Sequence, residues 1–202
     1  ALLGEPVAAP SANRYQGLSP TTAAHVVKQL GDAVDLVLDA GDCETGIEST
    51  VVDVRGSFAR VLRLGAIDLA ALRARLPDLD ARPERAAAEA LRASPGMGAR
   101  HYAPDVPLVL AASLEEAQSA ARALAARGGR IGLVIHEAIG AFSTEALVRQ
   151  LPRKPVEYAR LLYRTLHDLE DEGVDGIVVQ AVPTDDAWAA IADRLRRAAS
   201  ID

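Results

Sequence analysis

The stretch VPLVLAASLEEAQSAARALAARGGRIGLVI, Val106–Ile135, decides the fold. Its apolar run Val106–Ala111 reads as a strand. Ser113 and Glu116 form a capping box that opens a helix over Ser113–Arg127. Gly128-Gly129 close that helix, and Ile131–Ile135 reads as a second strand. Strand, helix and strand in this order make a βαβ unit, which calls for a parallel sheet. The pattern continues toward the C-terminus. Helices are expected over Ala141–Leu151 and Pro155–Glu172, then a strand over Gly176–Val182. A last helix spans Asp186–Ala199, with Trp188, Ile191, Ala192 and Leu195 on its buried face.

Upstream the elements are shorter. Pro6–Ala9 is a strand end. Ser19-Pro20-Thr21 opens a helix with Ser19 as N-cap, striped by Ala23, Val26, Val27 and Leu30 and ended by Gly31. Asp35–Asp39 reads as a strand. Thr50–Val54 and Ala59–Leu64 read as a hairpin joined by Arg55-Gly56-Ser57. Asp68 caps a helix that carries Leu69, Leu72 and Leu76. Residues 79–104 lack strand-like runs, and read as a helix over 83–93 followed by an extended linker, Ser94–Pro104. The chain is thus α/β, with a first unit over 1–82, a helix and linker over 83–104, and a Rossmann-like unit with a parallel sheet over 105–202.

Composition narrows the function. Of 202 residues, 22 are basic and 28 acidic, giving a net charge of −6. That balance argues against a general nucleic-acid binder, which needs a basic excess to displace counterions. Aromatics are 3% of the chain, so stacking platforms for bases are few. The single cysteine, Cys43, makes no internal disulfide and fits a reducing compartment, the cytoplasm. No apolar run reaches the length of a membrane span, and no signal peptide is visible.

Three polar motifs carry the chemistry. The first is PSAN, Pro10–Asn13, running on to SPT at Ser19–Thr21. Its hydroxyls and backbone N–H groups can hold phosphate oxygens beside a helix start; an ordinary turn and N-cap is the competing reading. The second is GIEST, Gly46–Thr50, with Arg63 one strand later. An arginine in an apolar strand needs a partner, either a phosphate or an ion pair with Asp53. The competing reading of GIEST is an ordinary β-turn with Glu48 solvated. The third is SPGMGARHYAP, Ser94–Pro104, where Arg100, His101 and Tyr102 stand together on a linker that can close as a lid or simply join two units. No P-loop motif is present, and a dinucleotide fingerprint would need the reverse order of strand, glycines and helix. His25, His136 and His167 look isolated from one another, with no zinc spacing and no metal ligands. Glu170-Asp171-Glu172 reads as a solvated helix end.

In this order, PVAAPSANRYQGLSPT, GIESTVVDV, VLRLGAI and SPGMGARHYAP resemble the long, two-domain form of threonylcarbamoyl-AMP synthase, a YrdC-like fold with an added C-terminal domain. The tail GVDGIVVQAVPTDDAWAAIADRLRRAA is similar to that family's C-terminal domain. The resemblance implies a nucleotidyltransferase: threonine takes up carbon dioxide or bicarbonate as a carbamate, a carbamate oxygen attacks the α-phosphorus of ATP, and pyrophosphate leaves. Threonylcarbamoyl-AMP then serves tRNA modification through partner transferase proteins, and magnesium accompanies the ATP. By motif, Ala9 and Ser49 would line the threonine site. Ser11, Ser19 and Arg63 would contact ATP, with Asn13 as a further candidate, and His101 or Tyr102 would reach the phosphates from the lid. No individual residue is assigned as catalytic. Leu64 departs from the family's usual proline, and Gly98-Ala99 replace bulkier lid residues. The resemblance also implies a segment before PSAN bearing further strands and basic residues. Residues 1–82 are therefore expected to be the C-terminal part of the YrdC-like domain, and the chain alone is expected to be inactive or nearly so. The alternative is a non-catalytic RNA- or nucleotide-binding module of the same fold. A hydrogenase-maturation carbamoyltransferase is disfavoured by the lone cysteine.

Overall fold

A computed structural model describes residues 4–81, 101–138 and 145–199. Its centre is a four-stranded sheet built from β3 (Leu108–Ala111), β4 (Ile131–Ile135), β5 (Leu147–Gln150) and β6 (Gly176–Gln180), in the spatial order β3-β6-β4-β5. All three pairings are parallel, as the βαβ pattern requires. Successive strand residues point to opposite faces. On one face the cross-strand row Val148, Leu133 and Val178 packs with Ala117 and Ala121 of helix α3 (Leu114–Ala125). On the other, Val134, Ile177 and Val179 meet helices α4 (Pro155–Asp171) and α5 (Ala189–Ala198). Strands covered on both faces read as unbroken apolar runs, and β4 and β6 are buried along their whole lengths. At Gly132 a side chain would meet the Leu169 methyls at 2.9 Å, so α4 lies close against β4 there.

Local signals act as the sequence indicates. Ser113 Oγ accepts the Glu116 N–H at 3.1 Å, while Glu116 reaches back to the Ala112 N–H at 2.9 Å. Asp68 caps α2 (Leu69–Arg73), accepting the Ala71 N–H at 2.7 Å. β1 (Val51–Asp53) and β2 (Arg60–Arg63) pair antiparallel, as the hairpin signal predicts. Gly31, at φ 48°, closes α1 (Ala23–Leu30).

Other expectations are corrected. The segment read as part of a helix over Ala141–Leu151 contains strand β5, because the open edge of β4 supplies backbone partners and Leu147 and Val148 supply one apolar side chain to each face. Residues 141–144 of that reading, the helix over 83–93 and the linker residues Ser94–Arg100 lie outside the described residues. Asp35–Asp39 is not a strand, and neither is Pro6–Ala9. Leu36 and Leu38 are exposed, and among the described residues neither run has a strand beside it to pair with. Thr22, not Ser19, caps α1, accepting the His25 N–H at 3.2 Å.

The first unit has little core of its own and drapes over α4 and α5. Leu18 joins the main apolar core beside Tyr163 and Leu166, while Val61, Leu64 and Leu69 pack with Ala190 at the start of α5. Lys28 pairs with Asp171 and Arg164 with Asp42. His25 and His167 are not isolated: their rings stack with centroids 4.0 Å apart between α1 and α4. His25 Nδ1 accepts the Thr21 N–H at 3.2 Å, and His167 Nε2 lies 3.3 Å from the Ser19 carbonyl. The acidic end of α4 is only partly solvated: Asp171 is exposed, while Glu170 and Glu172 are half-buried. Glu170 accepts the Asp105 N–H, Asp171 holds Lys28, and Glu172 holds Arg149.

Burial holds His167 down to about 4. A histidine kept neutral in the fold gives stability that is present above its unfolded pKa of about 6.5 and is lost as pH falls through the folded value. Between pH 7.5 and 4 the unfolding free energy should therefore drop by about 3 kcal/mol relative to a His167→Gln variant. Denaturant titrations of both proteins across this range check it; a constant difference would rule His167 out as the source.

Candidate functional site

The loop that carries GIEST is clamped between two backbones. Gly46, at φ 77°, lies so close to α4 that a Cβ would overlap the main chain of Ala159 and Arg160. Gly65 lies equally close to the main chain of Glu48–Thr50, and the Ala66 N–H reaches the Glu48 carbonyl at 3.0 Å. Glycine is needed at both positions because any side chain would push the loop away. The loop is thereby fixed against the hairpin and α4 at once.

Glu48 is the hub that this clamp creates. Its carboxylate accepts the Ser19 hydroxyl, the Tyr163 hydroxyl at 3.3 Å and Arg194 Nε at 3.0 Å. Arg194 is 0% exposed. It also reaches Asp193 at 3.1 Å, and its guanidinium lies 4.9 Å from the centre of the Tyr102 ring. Its Nη2 is buried with no hydrogen-bond partner among the described residues. Burial pushes the Tyr163 phenol well up, and the neighbouring Glu48 charge adds to this, so Tyr163 stays protonated and donates. Glu48 is thus not the solvated residue of the ordinary-turn reading.

Several of the residues singled out by motif fall around this hub. Ser11 and Ser19 line one cleft of about 430 Å³ with Thr21, Cys43, Gly46 and Glu48. Arg63 does not pair with Asp53, which is taken by Arg55 at 2.8 Å. Instead Arg63 Nε donates to the Ser49 carbonyl at 3.1 Å and Nη2 to Ser49 Oγ at 3.2 Å, joining the two predicted ligand residues directly. Tyr102 is buried, with its ring centre 4.1 Å from that of His101 and 6.0 Å from that of Tyr163. Burial pushes the Tyr102 phenol up, Glu48 adds to this, and Arg194 and Arg63 oppose it. Asn13 is turned to another use: its Nδ2 donates to the Arg14 and Gly17 carbonyls and ties the loop. Ala9 lies on the exposed irregular run before it.

The end of the linker is locked in place. The Ala103 N–H donates to the Gln16 carbonyl at 3.1 Å, and the His101 N–H to the Arg197 carbonyl at 3.4 Å. Gln16 and Tyr102 have left-handed backbones, at φ 67° and 61°. Residues other than glycine, asparagine or aspartate seldom adopt this conformation. Strain of this kind persists where the surroundings over-determine it, and here both residues flank the contact between linker and first loop.

Sequence reasoning missed Glu48, Tyr163 and Arg194. A signal for Arg194 was available: it sits with Ile191, Leu195 and Ala198 on the apolar stripe of α5, where an arginine implies a buried partner. Nothing in the sequence says that the partner is Glu48, 146 residues away.

A family model described as "Threonylcarbamoyl-AMP synthase, C-terminal domain" matches residues 64–200, and one described as "Telomere recombination" matches residues 1–65. The chain is 32% identical to the threonylcarbamoyl-AMP synthase of Bacillus subtilis, over 97% of this chain and 58% of the relative. It is 29% identical to that of Schizosaccharomyces pombe, over 97% of this chain and 52% of the relative. Its fold matches the crystal structure of Pyrococcus abyssi Sua5 complexed with L-threonine at a TM-score of 0.81 and 26% identity, covering 94% of this chain and 56% of that one. The chain therefore spans a little over half the length of these relatives. With both family models matched in chain order along a fold of the same kind, the chain belongs to the threonylcarbamoyl-AMP synthase family.

Proposed function

We propose that this chain forms part of an L-threonylcarbamoyladenylate synthase, a nucleotidyltransferase that makes threonylcarbamoyl-AMP and pyrophosphate from L-threonine, bicarbonate or carbon dioxide, and ATP. The observation that carries the reading is the convergence of Ser11 and Ser19 in one cleft with Glu48, whose neighbour Ser49 is held by Arg63. In this reading Ser49 and Ala9 face threonine. Ser11, Ser19 and Arg63, with Asn13 as a lesser contact, face the nucleotide. Tyr102, with His101 beside it, closes the site from the linker. We further assign 1–82 to the nucleotide-handling unit, 83–104 to the linker and 105–202 to the supporting unit.

The chemistry suits such residues. The threonine amine and carbon dioxide give a carbamate, one carbamate oxygen bonds to the α-phosphorus, and the bond to the pyrophosphate oxygen breaks. That step needs positioning and neutralisation of developing charge, and Arg63 and the hydroxyls supply both. The mixed anhydride formed is open to hydrolysis, so a linker that covers it has a purpose in excluding water. Magnesium would arrive as part of the ATP complex. Among the described residues no cluster of three or more histidine, cysteine or acidic side chains is placed to hold a metal alone. The product would pass to tRNA-modifying transferase proteins. No helix among the described residues is long and apolar enough to cross a membrane. The exposed, unpaired Cys43 suits a reducing compartment such as the cytoplasm.

The decisive assay is pyrophosphate release from ATP that requires both L-threonine and bicarbonate, measured on the protein that contains this chain. Release indifferent to threonine would sink the reading. Arg63→Ala should weaken ATP binding by about tenfold or more, the equivalent of about 1.4 kcal/mol, since a charged hydrogen-bond donor is lost. Ser49→Ala should instead act on threonine, raising its dissociation constant about fivefold, the equivalent of about 1 kcal/mol for one neutral hydrogen bond. Calorimetric titration of each ligand separates the two effects.

A further inference from the structure

Glycine contacts fix the backbone of the loop over residues 46–50, but they do not fix the Glu48 side chain. Among the described residues that side chain is held by groups from elsewhere: Ser19 of the first loop, Tyr163 of α4 and Arg194 of α5. Of the three, Arg194 alone brings a compensating charge. It also reaches Asp193 and stacks on Tyr102. Its planar group therefore touches both Glu48, which stands beside Ser49 and accepts the Ser19 hydroxyl, and Tyr102 at the end of the linker. A lysine would keep the charge but could not make both directed contacts and the stack.

We infer that Arg194 is a positioning residue for the ligand site, acting from the C-terminal unit. It holds Glu48, and through Glu48 and Tyr102 it sets Ser19, Ser49 and the linker against one another. It need not touch substrate. The inference rests on the proposed function only where threonine and ATP are concerned; the geometric claim can be read without them.

Cys43 makes that possible. It is the single cysteine of the chain, it is exposed, it lines the cleft with Ser19 and Glu48, and its N–H is bonded to the Thr21 carbonyl at 2.9 Å. A trifluoromethyl tag on Cys43 gives a fluorine resonance that senses the arrangement of this loop. Arg194→Met should shift or broaden that resonance, and Arg194→Lys should give a smaller change. Leu124→Ala, on α3 at the far face of the sheet, should lower thermal stability without moving it. In ligand titrations Arg194→Met should raise the dissociation constants for L-threonine and ATP at least tenfold, with Arg194→Lys between it and wild type. If the wild-type protein binds neither ligand, the functional reading fails, and the fluorine spectra alone decide the positioning role. A folded Arg194→Met protein with a wild-type resonance overturns the inference. Should that variant not fold, Glu48→Gln carries the test, because it keeps the shape and removes the charge that Arg194 holds; an unchanged resonance there overturns the inference equally.

Discussion

A guanidinium with no exposure to solvent must be met by a carboxylate, and in this chain the pairing of Arg194 with Glu48 organises much of what surrounds it. Removing one partner from such a pair costs about 3–5 kcal/mol, because the other charge is left stranded in a medium of low polarity. The pair joins the last helix to a loop near the start of the chain. It cannot form unless α5 is packed on the sheet and the loop over residues 46–50 is clamped by Gly46 and Gly65. Ser19, Tyr163 and Tyr102 then find their partners on the same two groups.

This explains why the first unit has so little structure of its own. Its helices and strands are short, and its apolar residues are completed by α4 and α5. The exposed ion pairs that bridge the units, Lys28 with Asp171, Arg164 with Asp42 and Arg73 with Asp186, contribute little each, since water and salt screen them. The buried contacts carry the docking: Leu18 in the main core, the stacked His25 and His167, and the Glu48 hub. The proposed ligand residues of the first unit are therefore presented by a surface that the C-terminal unit shapes.

Much of the architecture was legible because it depends on local rules. The unbroken apolar runs of β4 and β6, the caps at Ser113 and Asp68, and the hairpin of β1 and β2 follow from local composition, turn signals and backbone capping, which act within a few residues. Where a partner was required the reading failed. Asp35–Asp39 has the composition of a strand but no neighbouring strand among the described residues. Leu147–Gln150 could close a helix by pattern, yet the edge of β4 made it a strand. Ser19 looks like an N-cap, yet Glu48 takes its hydroxyl and leaves the cap to Thr22.

The site divides in the same way. By themselves, the motifs PSAN, GIEST and HYAP, in their order and spacing, pointed to the family, and of the residues they named Ser11 and Ser19 line the cleft. Only the tertiary structure decided that Arg63 grips Ser49 rather than Asp53, that two distant histidines stack, and that Glu48 meets the buried Arg194. Motifs record which chemical groups a chain keeps close in sequence. Charge pairing in a buried site depends on which groups the fold brings together from far apart, and in this chain those groups stand on helices whose apolar pattern conceals them.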